Sequence, residues 1–344
     1  MENLLGTTEK KLTDYFVQWD VKPYRVHQVF TWIYHRGVRD FDLMTNLSKS
    51  LRQLLSEKFY ISLPRILKKL SSVDGTIKYL FELEDGSTIE SVWMPSEQRK
   101  TLCISTQVGC RLACTFCKTG TLGLKRNLTA DEIIGQFIKV NEDLPEKDRI
   151  TNVVIMGMGE PLDNYQPVVD ALRLMVSPQA LKISTRKITL STSGLVDKIR
   201  NFQEENIHVN LAISLNATLD EVRDKIMPIN KKYPIEVLMD TLRSYPLKPT
   251  RMITFEYVLL AGINDTDEDA KRLARLLKGI PSKINLIPFN HYESSDYYPP
   301  SEDRIASFQN YLLSKNYSVF VRKNRGTDIM GACGQLAAQA VSYV

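Results

Sequence analysis

Residues 101–117 read TLCISTQVGCRLACTFC, an apolar strand that runs directly into three closely spaced cysteines. Cys110, Cys114 and Cys117 form a C-x3-C-x2-C pattern within eight residues. Thiolates are soft ligands that bind zinc or iron–sulfur clusters. A structural zinc ion needs four protein ligands, and the histidines of the chain are all distant from these cysteines in sequence. The pattern therefore favours an iron–sulfur cluster that leaves one iron open to another ligand.

The strand at residue 101 is the first of six that alternate with helical patterns. The six strands are TLCISTQ from Thr101, TNVVIMG from Thr151, KITLSTS from Lys187, HVNLAISL from His208, MITFEYVLL from Met252 and KINLIPF from Lys283. Strands that are apolar throughout are typical of a parallel sheet covered on both faces. Six such units predict an α/β fold with a partial (βα)6 barrel, whose functional residues lie at the carboxyl ends of the strands.

Polar residues stand at several of these strand ends, where an apolar strand would otherwise continue. They are Glu160 in GMGEP, where Gly159 would let the backbone approach a ligand closely, and Ser191, Ser214, Asn216 and Asn290. Taken singly, the glycines could form only a tight turn, and each polar residue could simply cap the following helix. Taken together, they predict a ring of hydrogen-bonding partners for one ligand. In this ring Glu160 would accept a hydrogen bond from a ligand ammonium.

The charge of the chain is concentrated at one end. The 344 residues carry 45 Lys and Arg against 40 Asp and Glu, and the first 70 residues hold the whole excess of five. This region is either a solvated helical face or an RNA-docking surface. The sequence has no apolar run long enough to span a membrane and no signal-peptide pattern. We therefore expect a cytoplasmic protein that does not associate with membranes.

The same patterns divide the chain into parts. The expected parts are a helical, basic N-terminal domain (1–75), a β-hairpin linker (76–100), the (βα)6 core (101–292) and a C-terminal extension (293–344). In the N-terminal domain, Thr13 and Ser48 are expected as helix N-caps. Asp85–Gly86 is expected as the turn of the hairpin.

Two cysteines lie outside the cluster pattern. Cys103 sits in the first strand of the core and reads by default as a small buried residue. Cys333 lies in a glycine-rich stretch between Gly331 and Gly334, which a core position would not require. A free thiol beside a reactive centre is a hazard unless it takes part in the chemistry.

The C-x3-C-x2-C motif resembles that of the radical S-adenosylmethionine superfamily. The resemblance implies a partial (βα)6 barrel in which Cys110, Cys114 and Cys117 hold a 4Fe-4S cluster. The open iron would bind S-adenosylmethionine, which is then cleaved to a 5′-deoxyadenosyl radical. By the same resemblance, the cofactor-binding residues are Gly159, Glu160, Ser191, Ser214, Leu215 through its backbone, Asn216 and Asn290. Asn216 stands where many members of the superfamily have His.

Motifs along nearly the whole chain narrow the resemblance to the dual-specificity adenine-C2 RNA methyltransferases. They are PYRVHQVFTWIYHRGV, MTNL, ISTQVGCRLACTFCKTG, RNLTADEI, MGMGEPL, RDKIMPIN and ACGQL. The family mechanism implies that Cys333 is methylated and that its methyl carbon, as a radical, adds to adenine C2. Cys103 would then release the RNA by forming a transient disulfide with Cys333. Glu90 would accept the C2 proton, although a strand carboxylate can equally be structural.

The resemblance also implies the partners. The substrates would be an adenine of 23S rRNA and the adenine 3′ of the anticodon in tRNA, with Lys125 and Arg126 among the phosphate contacts. The electron donor would be a flavodoxin or ferredoxin, and the enzyme would act as a monomer in rRNA and tRNA processing. Two alternatives stay open. One is a related adenine-C8 23S rRNA methyltransferase, although that group often has Ala after the motif glutamate, where this chain has Pro161. The other is a non-catalytic RNA-binding protein with a structural metal.

Overall fold

The computed structural model describes residues 1–338 and is built around one ten-stranded sheet. The strands are β1 (Glu2–Asn3), β2 (Phe59–Tyr60), β3 (Arg65–Ser71), β4 (Ile77–Glu82), β5 (Thr88–Pro95), β6 (Lys100–Cys103), β7 (Gln107–Gly109), β8 (Leu124–Asn127), β9 (Asn152–Ile155), β10 (Ile188–Thr192), β11 (Asn210–Ser214), β12 (Ile253–Leu259), β13 (Ser282–Pro288) and β14 (Ser318–Val321). The order across the large sheet is β14-β13-β12-β11-β10-β9-β6-β5-β4-β3.

Helices cover the sheet and build the N-terminal region. They are α1 (Glu9–Gln18), α2 (Arg25–Phe30), α3 (Lys49–Lys58), α4 (Lys118–Thr121), α5 (Ala130–Asp143), α6 (Tyr165–Val176), α7 (Val196–Glu204), α8 (Asp220–Ile226), α9 (Ile235–Arg243), α10 (Asp267–Leu276) and α11 (Glu302–Ser314). A π-helical turn, Thr31–His35, continues α2. No helix in residues 1–338 is long and apolar enough to cross a membrane.

The parallel part of the sheet contains the six predicted strands. β6, β9, β10, β11, β12 and β13 pair side by side in parallel, and β14 adds a seventh strand beyond β13. Phe255 and Tyr257 on β12 are fully buried, as a sheet covered by helices requires. Burying each such side chain contributes about 1.5–3 kcal/mol. Because these strands are parallel, their carboxyl ends lie along one edge of the sheet.

The hairpin expected as a linker belongs to the sheet itself. β4 and β5 pair antiparallel around the Asp85–Gly86 turn, and β5 pairs antiparallel with β6. Residues 76–100 therefore extend the core sheet rather than connect two domains. The sequence missed this because alternation predicts a hairpin without specifying its neighbour.

Helices α1 and α3 of the N-terminal region begin at residues whose side chains cap them, and the sequence misplaced one of these caps. Thr8, rather than Thr13, caps α1, because its side chain accepts a hydrogen bond from the Lys11 N–H. The Thr13 hydroxyl donates to the Glu9 carbonyl within the same helix. Ser48 caps α3, as predicted. The position of the cap depends on where the apolar face of the helix meets the core, and local propensity does not fix that position.

Candidate active site

The three clustered cysteines lie in tight turns between the small hairpin strand β7 and helix α4. The Cys117 N–H donates to the Cys114 carbonyl at 3.1 Å, and the Gly120 N–H donates to the Cys117 carbonyl at 2.9 Å. A Cβ at Gly120 would stand 2.8 Å from the Cys114 carbonyl oxygen, so only glycine fits there. Cys110 joins the other two on the wall of one open cavity of about 1050 Å³.

The donor set of this wall fits a cluster better than a single ion. Within residues 1–338, no group of three His, Cys, Asp or Glu is arranged to hold one metal ion. In an iron–sulfur cube each thiolate binds a different iron, so the ligands need not converge on a point. Burial raises the pKa of the Cys110 thiol to about 12, and it raises the pKa values of Cys114 and Cys117 as well. Thiols in such surroundings become thiolates when metal binds them.

The loop after β9 forms the opposite wall and contains the predicted Gly159 and Glu160. Glu160 is buried, and its carboxylate accepts hydrogen bonds from the N–H groups of Leu162 (3.1 Å) and Ser193 (2.8 Å). Burial raises the pKa of this carboxyl, although these hydrogen bonds partly oppose the effect. The Glu160 N–H in turn donates to the side chain of Gln107 at 2.9 Å. The glutamate is thus held in place before any ligand binds.

Gly159→Ala is expected to destabilise the protein by about 2–4 kcal/mol. Gly159 has φ +100°, and a Cβ there would lie 2.5 Å from the Cβ and 2.8 Å from the N of Gln107. Gly262→Ala is the matched control, because Gly262 also has positive φ but has no atom near its Cβ position. It should lose only about 1–2 kcal/mol. Urea unfolding of both variants measures the difference, and equal losses would contradict the close contact.

The predicted ring of strand-end residues does form around the cavity. Its lining includes Gly159, Glu160, Ser191, Ser214, Asn216 and Asn290. The buried Asn290 Oδ1 has no hydrogen-bond partner within the described chain and is an open acceptor for a ligand.

Two of the predicted cofactor residues are already engaged by the protein. Leu215 does not line the cavity, and its backbone N–H and C=O are bonded to the Glu256 carbonyl and to Arg223. Asn216 lines the cavity, but its side chain accepts from the Val258 N–H at 2.9 Å and donates to the Met227 sulfur. With a φ of 56°, Asn216 adopts the left-handed backbone conformation just after β11.

The structure also places two charged residues at the cavity that the sequence reasoning missed. Glu256, on β12, is 5% exposed; one of its oxygens accepts from the Asn285 amide at 2.8 Å and the other has no partner in residues 1–338. Arg322, directly after β14, lines the same cavity. The signal available in the sequence was a lone carboxylate inside the apolar strand MITFEYVLL. A basic residue at the end of a predicted strand gives no such signal.

Cys103 and Cys333 come together although they are 230 positions apart. Both line a smaller cavity that adjoins the first, and Cys333 lines both cavities. Cys103 is buried at the end of β6, whereas Cys333 is exposed. Burial raises the pKa of the Cys103 thiol to about 12. The two thiols and the cluster cysteines therefore share one continuous space.

Cys333 is carried by a segment that we call the C-terminal strap, residues 326–338. On the side facing the cluster cysteines, the Lys118 N–H donates to the Gly334 carbonyl at 2.7 Å, and the Thr119 hydroxyl donates to the Leu336 carbonyl at 2.6 Å. The Asn290 amide donates to the Cys333 carbonyl at 3.1 Å. These bonds fix the strap over the mouth of the cavity.

On its other side the strap is bound to the β4–β5 hairpin. Both residues of a buried ion pair in this hairpin form hydrogen bonds to the strap. Lys78 and Glu90 lie 2.9 Å apart and are 8% and 5% exposed. Lys78 also donates to the Met330 carbonyl at 3.2 Å, and the second oxygen of Glu90 accepts from the Ala337 N–H at 2.9 Å. Glu90 does not line either cavity, and both of its oxygens are engaged. In this arrangement Glu90 holds the strap.

Glu90→Gln is expected to loosen the strap, because it leaves Lys78 as an uncompensated buried charge. The expected cost is about 3–5 kcal/mol. Amide hydrogen exchange should accelerate more in residues 326–338 than in the parallel strands. Glu82→Gln removes a more exposed pair with Arg65 and should cost about 1 kcal/mol or less. Unchanged exchange in the strap would contradict this role of Glu90.

The basic residues are distributed unevenly between structural and exposed positions. Arg126, an expected phosphate contact, is paired with both Asp85 and Glu132 at 2.8 Å, so its charge is already used within the fold. Lys10, Lys49 and other cations of the N-terminal region are exposed. The exposed surface available for phosphates is therefore the helical region rather than Arg126.

Two family models and several curated proteins match this chain. The model for the ribosomal RNA large subunit methyltransferase N-terminal domain matches residues 2–61, and the radical SAM superfamily model matches residues 104–277. The chain is 51% identical to the dual-specificity RNA methyltransferase RlmN of Geobacter sulfurreducens, over 98% of this chain and 92% of that protein. It is 49% identical to the protein of the same name from Paracoccus denitrificans, over 97% and 89%.

A solved structure agrees with the fold over the same extent. The crystal structure of a radical SAM methyltransferase from Sphaerobacter thermophilus matches with a TM-score of 0.90 and 40% identity. It covers 98% of this chain and 100% of that chain. The predicted α/β barrel fold and the small N-terminal domain are thereby confirmed.

Proposed function

The chain belongs to the dual-specificity RNA methyltransferase RlmN family, and from this membership we propose that it methylates C2 of adenine in 23S rRNA and in tRNA. It is a radical S-adenosylmethionine enzyme that methylates rRNA and tRNA. The observation that supports the finer proposal is the shared space of the cluster cysteines, Cys103 and Cys333. A methyl-carrier route needs two thiols beside the cofactor, and ordinary polar transfer needs none.

The enzyme uses a 4Fe-4S cluster and S-adenosylmethionine. Cys110, Cys114 and Cys117 would hold the cluster, and the ring of strand ends would hold the cofactor. When bound, the two groups supply the methyl group, an electron and a 5′-deoxyadenosyl radical. Hydrogen bonds from the N–H groups of Leu162 and Ser193 hold the Glu160 carboxylate, which would accept a hydrogen bond from the cofactor ammonium. Ser191, Ser214 and Asn290 would orient the remaining polar groups.

Cys333 and Cys103 are proposed to act in sequence on the RNA. Cys333 carries the methyl group as a thioether and presents its carbon to adenine C2, an electron-poor carbon that polar methyl transfer cannot use. Cys103 then attacks the Cys333 sulfur to form a disulfide. The strap holds Cys333 at the cavity mouth, where a nucleotide flipped out of its stack can reach it at a cost of about a few kcal/mol.

Glu90 as the acceptor of the C2 proton stays a proposal. Its oxygens bind Lys78 and the Ala337 N–H, so it would have to release at least one of them to take a proton. Movement of the strap away from the hairpin would free that oxygen. The proposed base and the position of Cys333 are thus coupled through one carboxylate.

The electron donor, assembly and location are also proposals. A flavodoxin or ferredoxin suits the need for one low-potential electron. A monomer is the assembly that the family resemblance implies. A cytoplasmic location is supported by five cysteines that are all free, since reducing compartments keep thiols unpaired.

Product analysis tests the proposed activity. The purified, cluster-loaded protein is incubated anaerobically with S-adenosylmethionine, a reductant, and either 23S rRNA or tRNA. Mass spectrometry of the digested RNA should find 2-methyladenosine in both. Formation of 8-methyladenosine instead would assign the enzyme to the adenine-C8 reaction. Absence of both products and of 5′-deoxyadenosine would support a non-catalytic RNA-binding protein.

A further inference from the structure

Arg223 is a fully buried arginine at the centre of the cofactor end of the sheet. It lies on α8 and is 0% exposed. Its guanidinium donates to four oxygens: those of the Leu215 carbonyl (2.9 Å), the Ser193 carbonyl (2.7 Å), the Ser214 carbonyl (3.2 Å) and the Asn230 side chain (2.9 Å). The two serines follow or end neighbouring strands, β10 and β11. One side chain therefore ties two strand ends together.

All four of these oxygens are neutral, so the positive charge has no counter-charge in direct contact. Within residues 1–338 the hydrogen bonds of the guanidinium go to no carboxylate, and the charges of Asp220 and Asp224 act on it only from beyond direct contact. Asp220 and Asp224, on the same helix, bind the Asn230 amide instead, at 2.8 and 2.7 Å. An unpaired buried charge costs several kcal/mol. Burial lowers the pKa of Arg223 to about 10, so it stays charged at neutral pH.

The cluster-binding loop lies next to the helix that carries this guanidinium. The Thr115 N–H, between Cys114 and Cys117, donates to the Ile226 carbonyl at the end of α8 at 3.0 Å. Ser193 and Ser214, whose carbonyls Arg223 binds, line the same cavity as Cys114. Helix α8 thus stands directly behind the cluster-binding loop. Three thiolates give a 4Fe-4S cluster a net negative charge, and reduction adds one more.

We propose that Arg223 is the buried counter-charge of the iron–sulfur cluster and that it also fixes the strand ends that bind the cofactor. A positive charge stabilises the reduced cluster more than the oxidised one, because the reduced cluster is more negative. Arg223 therefore raises the reduction potential and eases the electron transfer that starts the reaction. It is a positioning residue, since it acts through the cluster and through Ser193, which in turn holds Glu160.

Two variants separate the charge from the hydrogen bonds. Arg223→Met removes both, whereas Arg223→Lys keeps the charge but loses the forked donor geometry. Arg272→Met is the control, because Arg272 is a partly buried arginine that is paired with Asp269 at 2.6 Å on α10 and does not line the cavity. Iron content and circular dichroism establish cluster loading and folding first. This step separates a failure of the cluster assignment from a failure of the Arg223 proposal.

The measurement is the midpoint potential of the cluster, from a redox titration followed by electron paramagnetic resonance. We expect a more negative potential in Arg223→Met and values near wild type in Arg223→Lys and Arg272→Met. Binding of S-adenosylhomocysteine should weaken about tenfold in both Arg223 variants. If Arg223→Met does not fold, Arg223→Gln, which removes the charge but keeps an amide donor, replaces it and should show the same negative shift in potential. An unshifted potential in a folded, loaded Arg223→Met protein would overturn the proposal, as would an equally shifted potential in Arg223→Lys or Arg272→Met.

Discussion

Cys103→Ala protein is expected to accumulate RNA covalently joined to Cys333, with a yield below one product per enzyme. In the proposed mechanism the bond between the Cys333 methylene carbon and adenine C2 forms without Cys103. Release needs a thiolate to attack the Cys333 sulfur, so that the S–S bond forms and the S–CH2 bond breaks. The electron pair leaves with the carbon, which takes a proton and becomes the methyl group. Alanine offers no such nucleophile, and Cys103 is the thiol outside the cluster motif that lines a cavity with Cys333.

Denaturing gel electrophoresis of enzyme with labelled RNA measures this trapped species. Cys333→Ala is the paired variant and should give no covalent RNA, because the carrier sulfur is gone. Wild-type protein should show only a transient trace. Equal trapping in both variants, or in neither, would refute the order of roles proposed for the two cysteines.

The Cys114→Ala protein is expected to lose 5′-deoxyadenosine formation entirely. Cys114 is buried, and its carbonyl accepts a hydrogen bond from the Cys117 N–H at 3.1 Å. Two remaining thiolates cannot hold a cube with its open iron in place. Because radical formation depends on that iron, activity should fall to the background of the assay, a loss of many orders of magnitude.

Iron and sulfide content, together with the visible spectrum, follow this loss directly. Cys103→Ala serves as the control, because it removes a buried thiol that is outside the cluster motif and should retain the cluster. Urea unfolding of both apoproteins tests that neither change disrupts the barrel. A normal spectrum with 5′-deoxyadenosine production in Cys114→Ala would show that another residue supplies the ligand.

Local patterns in the sequence were sufficient for the core of this fold. The six parallel strands were predicted because uninterrupted β-branched and apolar runs are specific to strands buried on both faces. Ser191, Ser214 and Asn290 were found for the same reason, since a polar residue that ends such a run lies at the carboxyl edge of the sheet. The spacing of Cys110, Cys114 and Cys117 was enough to predict that they lie on one cavity wall.

Such local patterns do not predict which residues form ion pairs with one another. Arg126 was expected to face RNA, but it is paired with Asp85 and Glu132, which only the folded chain brings near it. Glu90 was expected to face the substrate, and it binds Lys78 on the neighbouring strand. Charged residues at the surface and in buried pairs look alike in a sequence, because the partner is chosen by tertiary contacts.

The buried cation was missed for a related reason. Arg223 lies in the amphipathic pattern TLDEVRDKI, where an arginine usually faces water. Its hydrogen bonds go to backbone carbonyls of other strands, which carry no side-chain signature in the sequence. The motif RDKIMPIN marked the segment through family resemblance, but not the burial of its first residue.

The attachments of the C-terminal strap have a consequence for the order of folding. Met330 and Ala337 are bonded to residues about 250 positions earlier in the chain, on β4 and β5. Closing so long a loop costs about 3 kcal/mol more entropy than closing one of ten residues. These contacts become favourable only after the intervening barrel has collapsed and brought its two ends together. The segment that carries Cys333 is therefore expected to dock last, and a folding intermediate with a complete barrel would lack the contacts of the strap with the cluster-binding loop.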